Sequence, residues 1–393
     1  MEEERTREQE LLLAQRLDKR NASRRRFLLA GLTSGAVLAL GAGASLFLSP
    51  GEREFILGNN SSIRTVAWSP NGYAFAAGGS DAGHVVIWRA SDGQELTSLP
   101  IMRYATVWSV AWSPTSYFAV AWSGAGATGG YVSIWKTPTQ ESASSWKHER
   151  DFPLGGGFDV SPLVVAWSPD GTRLAVGDSS GGLQVWNPSS GQVLRVLQTS
   201  QAEASIPVSS LAWSPDGTHI AAVNVAAGTT YAVWNATTGK VMPLPSQCGV
   251  FIFPGQWYLN ITVLGWSPDG TTIAGSGCET VLIWRWNKES GSWKKVHSLP
   301  VTPSPEIPAI TALTWAPDSQ RFATADRNNK ILIWHASTGQ QLGSYTLNPP
   351  QVGGDSQGYM DSDFEIYTLA WSPDGKYLLS GDYAGRVLLW AVR

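Results

Sequence analysis

Ala166-Trp167-Ser168-Pro169-Asp170-Gly171 recurs in close copies along most of the chain, and each copy is followed by a second tryptophan that closes an aliphatic run. The copies are Ala67-Trp68-Ser69-Pro70-Asn71-Gly72, Ala111-Trp112-Ser113-Pro114, Ala212-Trp213-Ser214-Pro215-Asp216-Gly217, Gly265-Trp266-Ser267-Pro268-Asp269-Gly270, Thr314-Trp315-Ala316-Pro317-Asp318 and Ala370-Trp371-Ser372-Pro373-Asp374-Gly375. The partners are Trp88, Trp135, Trp186, Trp234, Trp284, Trp334 and Trp390, so fourteen of the 20 tryptophans serve one repeat. Successive first tryptophans lie 44, 55, 46, 53, 49 and 56 residues apart, the length of one four-stranded unit plus loops of varying size.

Each unit reads as a short antiparallel sheet. Leu163-Val164-Val165-Ala166 is a buried strand. Ser-Pro-Asp-Gly then turns the chain: proline fixes φ at the second position of a type I turn, aspartate tolerates the third, and glycine accepts the fourth. Arg173 to Gly177, Leu183 to Trp186 and Gln192 to Leu197 supply three more strands, separated by turns rich in Asp, Ser and Gly.

In number, order and spacing these motifs resemble the WD-repeat (WD40) β-propellers, in the wording of bacterial-type repeats, over about residues 52–393. The resemblance implies an all-β fold, a seven-bladed β-propeller of four-stranded antiparallel blades. The lettering departs from the family in two ways. The aspartate that usually follows the third-strand tryptophan is Arg89, Lys136, Asn187, Asn235, Arg285, His335 or Ala391, and the Gly-His that opens a repeat is missing. In the family these residues form a hydrogen-bonded tetrad. The expectation is therefore a propeller without it, held by apolar burial of the tryptophans alone. Each buried indole removes roughly 150 to 250 Å² from water, worth on the order of 4 to 6 kcal/mol before entropy costs.

Three segments follow from composition. Residues 1–26 form a charged leader with eight Lys or Arg against six Asp or Glu, and Glu2 to Leu17 reads as a helix. Residues 27–49 are uncharged and apolar, long enough at 1.5 Å rise to span a bilayer. Residues 50–393 hold the propeller. Ser23-Arg24-Arg25-Arg26-Phe27-Leu28 matches the twin-arginine export signature through Arg24, Arg25, Phe27 and Leu28. An ordinary membrane anchor with a basic flank fits the same residues. Both place the amino end in the cytoplasm and the propeller outside the membrane, because the basic cluster precedes the apolar run. Cleavage near Ala44 and retention as an anchor both remain open. Without the leader, 20 basic and 25 acidic residues of the chain's 28 and 31 are left, a formal charge of about −5 that disfavours nucleic acid.

The last repeat reaches its third strand at Val387 to Trp390 and leaves no residues for a fourth. Arg53-Glu54-Phe55-Ile56-Leu57 is the strand available to complete it, closing the ring and removing an exposed edge. Such a closed ring needs no second copy, so a monomer is expected.

From first to second tryptophan the counts are nearly constant, 18 to 23, whereas from second tryptophan to the next repeat they run from 24 to 37. Variable length thus falls between third strand and next first strand, which includes the loop that opens on the top face in the resembled family. The longest such loops hold Phe158, Phe251, Phe253, Trp257, Tyr258 and Tyr359, candidates for anchoring a protein or peptide partner.

Catalytic chemistry is sparse. The five histidines, His84, His148, His219, His297 and His335, occupy different positions in their repeats and show no metal-ligand spacing. Asp361-Ser362-Asp363 with Asp355 lacks the ligand order of a calcium loop. Gly177-Asp178-Ser179-Ser180-Gly181 and Gly354-Asp355-Ser356-Gln357-Gly358 spell a nucleophile-elbow pattern but lead into no helix, so both read as turns. Cys248 and Cys278 would share a face of one blade, where a bridge and two free thiols both fit.

The reading is a non-catalytic scaffold without cofactor or metal. Two alternatives are weighed against it. A quinoprotein-type propeller enzyme is suggested by Asp92-Gly93-Gln94, Ser190-Gly191-Gln192, Thr238-Gly239-Lys240 and Thr338-Gly339-Gln340, but in those enzymes the docking tryptophan follows the glycine and here it precedes it. A periplasmic propeller of the Tol type shares Ser-Pro-Asp-Gly, but six blades and no third-strand tryptophan are expected there.

Overall fold

A computed structural model of the chain describes residues 46–47, 53–57, 61–124, 129–138, 146–154, 160–198, 207–223, 231–245, 263–277, 280–300, 310–347 and 365–392. The leader, most of the apolar run, the export residues Arg24, Arg25, Phe27 and Leu28, both cysteines and the loop aromatics Phe158, Phe251, Phe253, Trp257, Tyr258 and Tyr359 lie outside them. The described residues are all-β, and they form seven antiparallel sheets arranged as the blades of a propeller.

Blade 1 comprises β3 (Ile63–Trp68), β4 (Ala74–Gly79), β5 (His84–Arg89) and β6 (Glu95–Pro100), paired in chain order from the axis outward. Blades 2 to 6 repeat this order. Their innermost strands are β7 (Thr106–Trp112), β11 (Pro162–Trp167), β15 (Leu211–Trp213), β19 (Leu264–Trp266) and β23 (Ile310–Trp315). Blade 7 contributes only β27 (Ile366–Trp371), β28 (Tyr377–Asp382) and β29 (Arg386–Ala391) from the carboxyl end. Its outer position is filled by β2 (Arg53–Ile56), which faces β29 with Arg53 opposite Leu389 and Ile56 opposite Arg386. A further pair, β1 (Leu46–Phe47), adds to the free edge of β2, so this sheet has five strands. The end of the apolar run 27–49 is thereby drawn into strand pairing, where its backbone groups meet those of β2.

The core lies between blades. Buried apolar residues fall into seven clusters, each shared by two neighbouring sheets. All seven second tryptophans are buried, as are Trp167, Trp213, Trp315 and Trp371, while Trp68, Trp112 and Trp266 are half-buried. At the closing seam, Phe55 of β2 sits edge-on to Phe75 at 5.0 Å and 5.8 Å from Trp88, both in blade 1.

Burial alone does not account for the seams, which corrects the expectation from sequence. The first tryptophan of a blade donates its Nε1 hydrogen to the carbonyl of the residue preceding the first tryptophan of the blade before it. Trp68 donates to Ala370, Trp112 to Ala67, Trp167 to Ala111, Trp213 to Ala166 and Trp315 to Gly265, at 3.0–3.2 Å. An indole N–H in a dry seam needs an acceptor, and the free inner edge of the neighbouring strand supplies one. Trp266 and Trp371 find none among the described residues.

A second ladder uses hydroxyls three residues before the tryptophan. Thr368, Thr65, Ser109 and Ser210 accept the backbone N–H of Val66, Val110, Val165 and Leu264, each in the next blade. Val164, Val263 and Ala312 stand at the same position and have no oxygen to offer. The seam between blades 6 and 7 therefore has neither ladder rung. It is closed by apolar packing, by the Tyr345 hydroxyl donating to the Ala391 carbonyl at 3.2 Å, by Arg327 beside Glu365, and by the Arg321 guanidinium, 5.4 Å from the centre of the Trp371 ring.

The Ser-Pro-Asp-Gly turns gather on one face. Ser168 Oγ bonds to Asp170 and receives the N–H of Arg173, and the Gly171 N–H reaches the Ser168 carbonyl at 2.8 Å. Gly217 has φ +68°, a left-handed conformation that favours glycine, and lies against Pro169 of the preceding blade's turn. Ser319 adopts φ +58° where the other full copies have glycine.

Candidate functional site

Because each innermost strand ends at the motif turn, its first residues open on the opposite face. That face also takes the turns between second and third strands and the connections of variable length. Four residues before the first tryptophan the chain places Arg64 in blade 1, Trp108 in blade 2 and Tyr367 in blade 7. These strands are adjacent around the axis, so the three side chains converge at one end of the central channel.

The Arg64 guanidinium lies 4.8 Å from the centre of the Tyr367 ring and 5.6 Å from that of Trp108. Its Nε donates to Ser80 Oγ at 2.9 Å, and Ser80 in turn is bonded to Ser62. Trp108 is fixed by its Nε1, which donates to Ser123 Oγ at 2.8 Å. Tyr383, in the turn after β28, stands 6.1 Å from Tyr367, and its amide donates to the Glu365 carbonyl. Arg327 reaches the Glu365 carboxylate at 3.6 Å from the neighbouring blade.

Partial burial shapes the electrostatics. Desolvation pushes the Glu365 carboxyl above the ordinary carboxylate range, against the pull of Arg327 and Arg64. It also raises the Tyr367 phenol, so that side chain is a neutral donor and an apolar wall at physiological pH. The Arg327 Nε is buried and meets no acceptor among the described residues.

Beside this cluster, the connection between blades 1 and 2 is laced to the turn of blade 1. Gly83 N–H donates to the Ala105 carbonyl, and Ile101 N–H to that of Gly83. The connection holds Tyr104 out to solvent at φ +60°, with Arg103 over its ring.

The opposite face offers a polar groove of about 240 Å³ between blades 5 and 6, lined by Asp269, Thr271, Arg285, Gln320 and His335. Histidines are spread over five blades; His148 bonds to Asp151 in its own blade, and His297 to the Ser337 carbonyl of the next. Among the described residues no three His, Cys, Asp or Glu side chains are grouped to hold a metal ion. Asp178 ends a strand and accepts the N–H groups of Ser180 and Gly182, so Gly177 to Gly181 is a strand-to-strand turn.

Position four before the tryptophan escaped sequence reading, because elsewhere it is Leu163, Ser209, Thr262 or Thr311 and shows no pattern. An unpatterned large or charged residue at a fixed place in a repeat is the signal that could have found it.

The family described as "WD domain, G-beta repeat" matches residues 51–89, 160–187, 191–235, 293–335 and 357–391. The chain is 31% identical over 143 residues to small ribosomal subunit protein RACK1 of Glycine max, covering 34% of this chain and 42% of that protein. It is 27% identical over 132 residues to the protein of the same name in Drosophila melanogaster, with 34% and 39% covered. Telomerase protein component 1 of Mus musculus is 26% identical over 234 residues, 57% of this chain and 7% of that protein. The matches to the RACK1 proteins thus span about two fifths of those proteins' length.

Proposed function

We propose that this chain of WD40 repeats, closed into a seven-bladed propeller, is a non-catalytic scaffold that docks a protein or peptide partner on the face carrying its variable connections. The observation that supports it most is the cluster of half-buried Arg64, Trp108 and Tyr367 with exposed Tyr383 beside them, at one end of the channel and outside the rings of seam bonds that hold the blades together. Aromatic and arginine side chains on a rigid frame are what interface anchors are made of. The loop aromatics Phe158, Phe251, Phe253, Trp257, Tyr258 and Tyr359 extend the same proposal.

We assign the propeller to the far side of a membrane, with residues 1–26 cytoplasmic and residues 27–49 as twin-arginine signal or anchor. The ribosomal placement in the name of the RACK1 proteins is not carried over, since a formal charge of about −5 beyond the leader repels phosphate backbones.

Affinity capture with the full chain tests the scaffold. Retained protein partners are expected, and deletion of residues 349–358 is expected to weaken retention while the melting temperature stays unchanged. Retention with unaltered affinity would place docking elsewhere. Replacing Arg24 and Arg25 together by lysine is expected to abolish export, and undiminished export would leave the plain-anchor reading.

A further inference from the structure

We infer that Arg64, between Trp108 and Tyr367, is a subsite for one anionic side chain of an extended peptide, a carboxylate or a phosphoryl group; this deepens the scaffold reading and rests on it. Among the described residues Arg64 and Arg327 both act on the one carboxylate of Glu365, two positive charges against one negative. Arg64 spends its Nε on Ser80, and among the described residues its terminal nitrogens meet no acceptor. Those nitrogens are the end of the guanidinium that pairs in a fork with a carboxylate or phosphate.

The surroundings favour such a pair. Ser80 and the two rings hold the guanidinium in one place, so little side-chain freedom remains to be lost on binding. The desolvation that raises Glu365 marks a medium in which an incoming anion is attracted more strongly than at an open surface. A lysine-rich segment would instead meet Arg64 and Arg327 with like charge. Tyr104 and Tyr383 flank the subsite on exposed turns, where the residues next to the anion would lie.

The test uses the full chain and three fluorescein-labelled hexapeptides, hexaglutamate, alternating glycine and phosphoserine, and hexalysine, read by fluorescence anisotropy at low and physiological salt. At least one acidic peptide is expected to bind, more weakly as salt rises, and to lose at least about tenfold in affinity in Arg64→Gln, the loss of a charge-assisted pair. Which acidic peptide binds more tightly identifies the source of the anion. Failure of both acidic peptides, preference for hexalysine, or unchanged affinity in Arg64→Gln overturns the subsite. Melting curves show whether that variant folds. If it does not, Arg327→Gln takes its place: weaker binding of the acidic peptide is expected, and unchanged binding overturns the proposal. Protein partners still captured by the wild-type chain when both acidic peptides are inert would sink the subsite and leave the scaffold; capture of no partner would count against the scaffold itself.

Discussion

The indole of Trp68, in the first blade, donates its hydrogen to the carbonyl of Ala370 in the last, 3.2 Å away in space and 302 residues away in sequence. The same bond joins four other pairs of neighbouring blades and is lacking at Trp266 and Trp371. This difference within one repeat separates polar from apolar contributions. Trp315→Phe and Trp371→Phe remove similar ring area from similarly buried positions, but only the first breaks a seam bond. Trp315→Phe is expected to cost about 1 kcal/mol more, read as the difference in urea-unfolding free energy. Equal losses would mean that the indole bonds add nothing net.

The hydroxyl ladder makes a parallel prediction. Ser109→Ala leaves the buried amide of Val165 without its acceptor and is expected to destabilise by about 1 to 3 kcal/mol. Ala312→Ser, at the seam between blades 6 and 7, offers an oxygen to the equivalent amide of Leu369 and is expected to raise the melting temperature. A lowered melting temperature in Ala312→Ser would show that the seam has no room for the rung.

Closure depends on Phe55. Truncation to alanine removes a ring packed against Phe75 and Trp88 and is expected to cost about 3 to 5 kcal/mol. The loss should appear first as faster amide exchange in β2 and β29, because the seam between blades 7 and 1 opens before the sheets melt. Uniform acceleration across all blades would show that the ring unfolds as a single unit.

Stability should fall in acid. The hydroxyl of Ser168 and the amide of Thr172 hold Asp170 down to about 2. Asp374 is lowered by Ser372 first, and in Asp216, Asp269 and Asp318 hydrogen bonds outweigh the opposing effect of burial. A carboxyl depressed in the folded state stabilises above its unfolded value of about 4, and that contribution is lost as pH falls toward about 2. Burial raises Glu54, Asp326, Glu365 and Asp382, which act with the opposite sign and soften the decline. The melting temperature is expected to drop over this window, and Asp170→Asn should flatten the curve. An identical acid profile in that variant would remove Asp170 from the account.

The architecture was legible because its determinants are local and repeated. A tryptophan before Ser-Pro, or before Ala-Pro at Trp315, and another about twenty residues on mark the inner and third strands of every blade, and Arg53 to Leu57 reads as the strand that completes the last blade. The seam bonds were not legible, since alternation shows which residues face a neighbour but not which polar atom meets which. Asn187 and Asn235 illustrate this. They replace the usual aspartate and accept the N–H groups of Ser189 and Thr238, stabilising the turn that follows the third strand. The tetrad survives in part, as Trp334 bonded to Thr324 and Trp390 to Ser380. The Arg64 cluster was hidden for a different reason, as its members come from three blades and no stretch of sequence holds them together.

Arg53 stands directly opposite Leu389, so the sheet that shuts the circle brings the beginning of one strand beside the latter half of another. A rearranged gene could therefore start at Ser61, run through Val392, and append the segment 53–57 after a tight hairpin. Every pairing in such a circular permutant would lie between consecutive strands. The strand pairing of Arg53 with Leu389 would become a local one, while the bond from Trp68 to Ala370 would still have to close the ring.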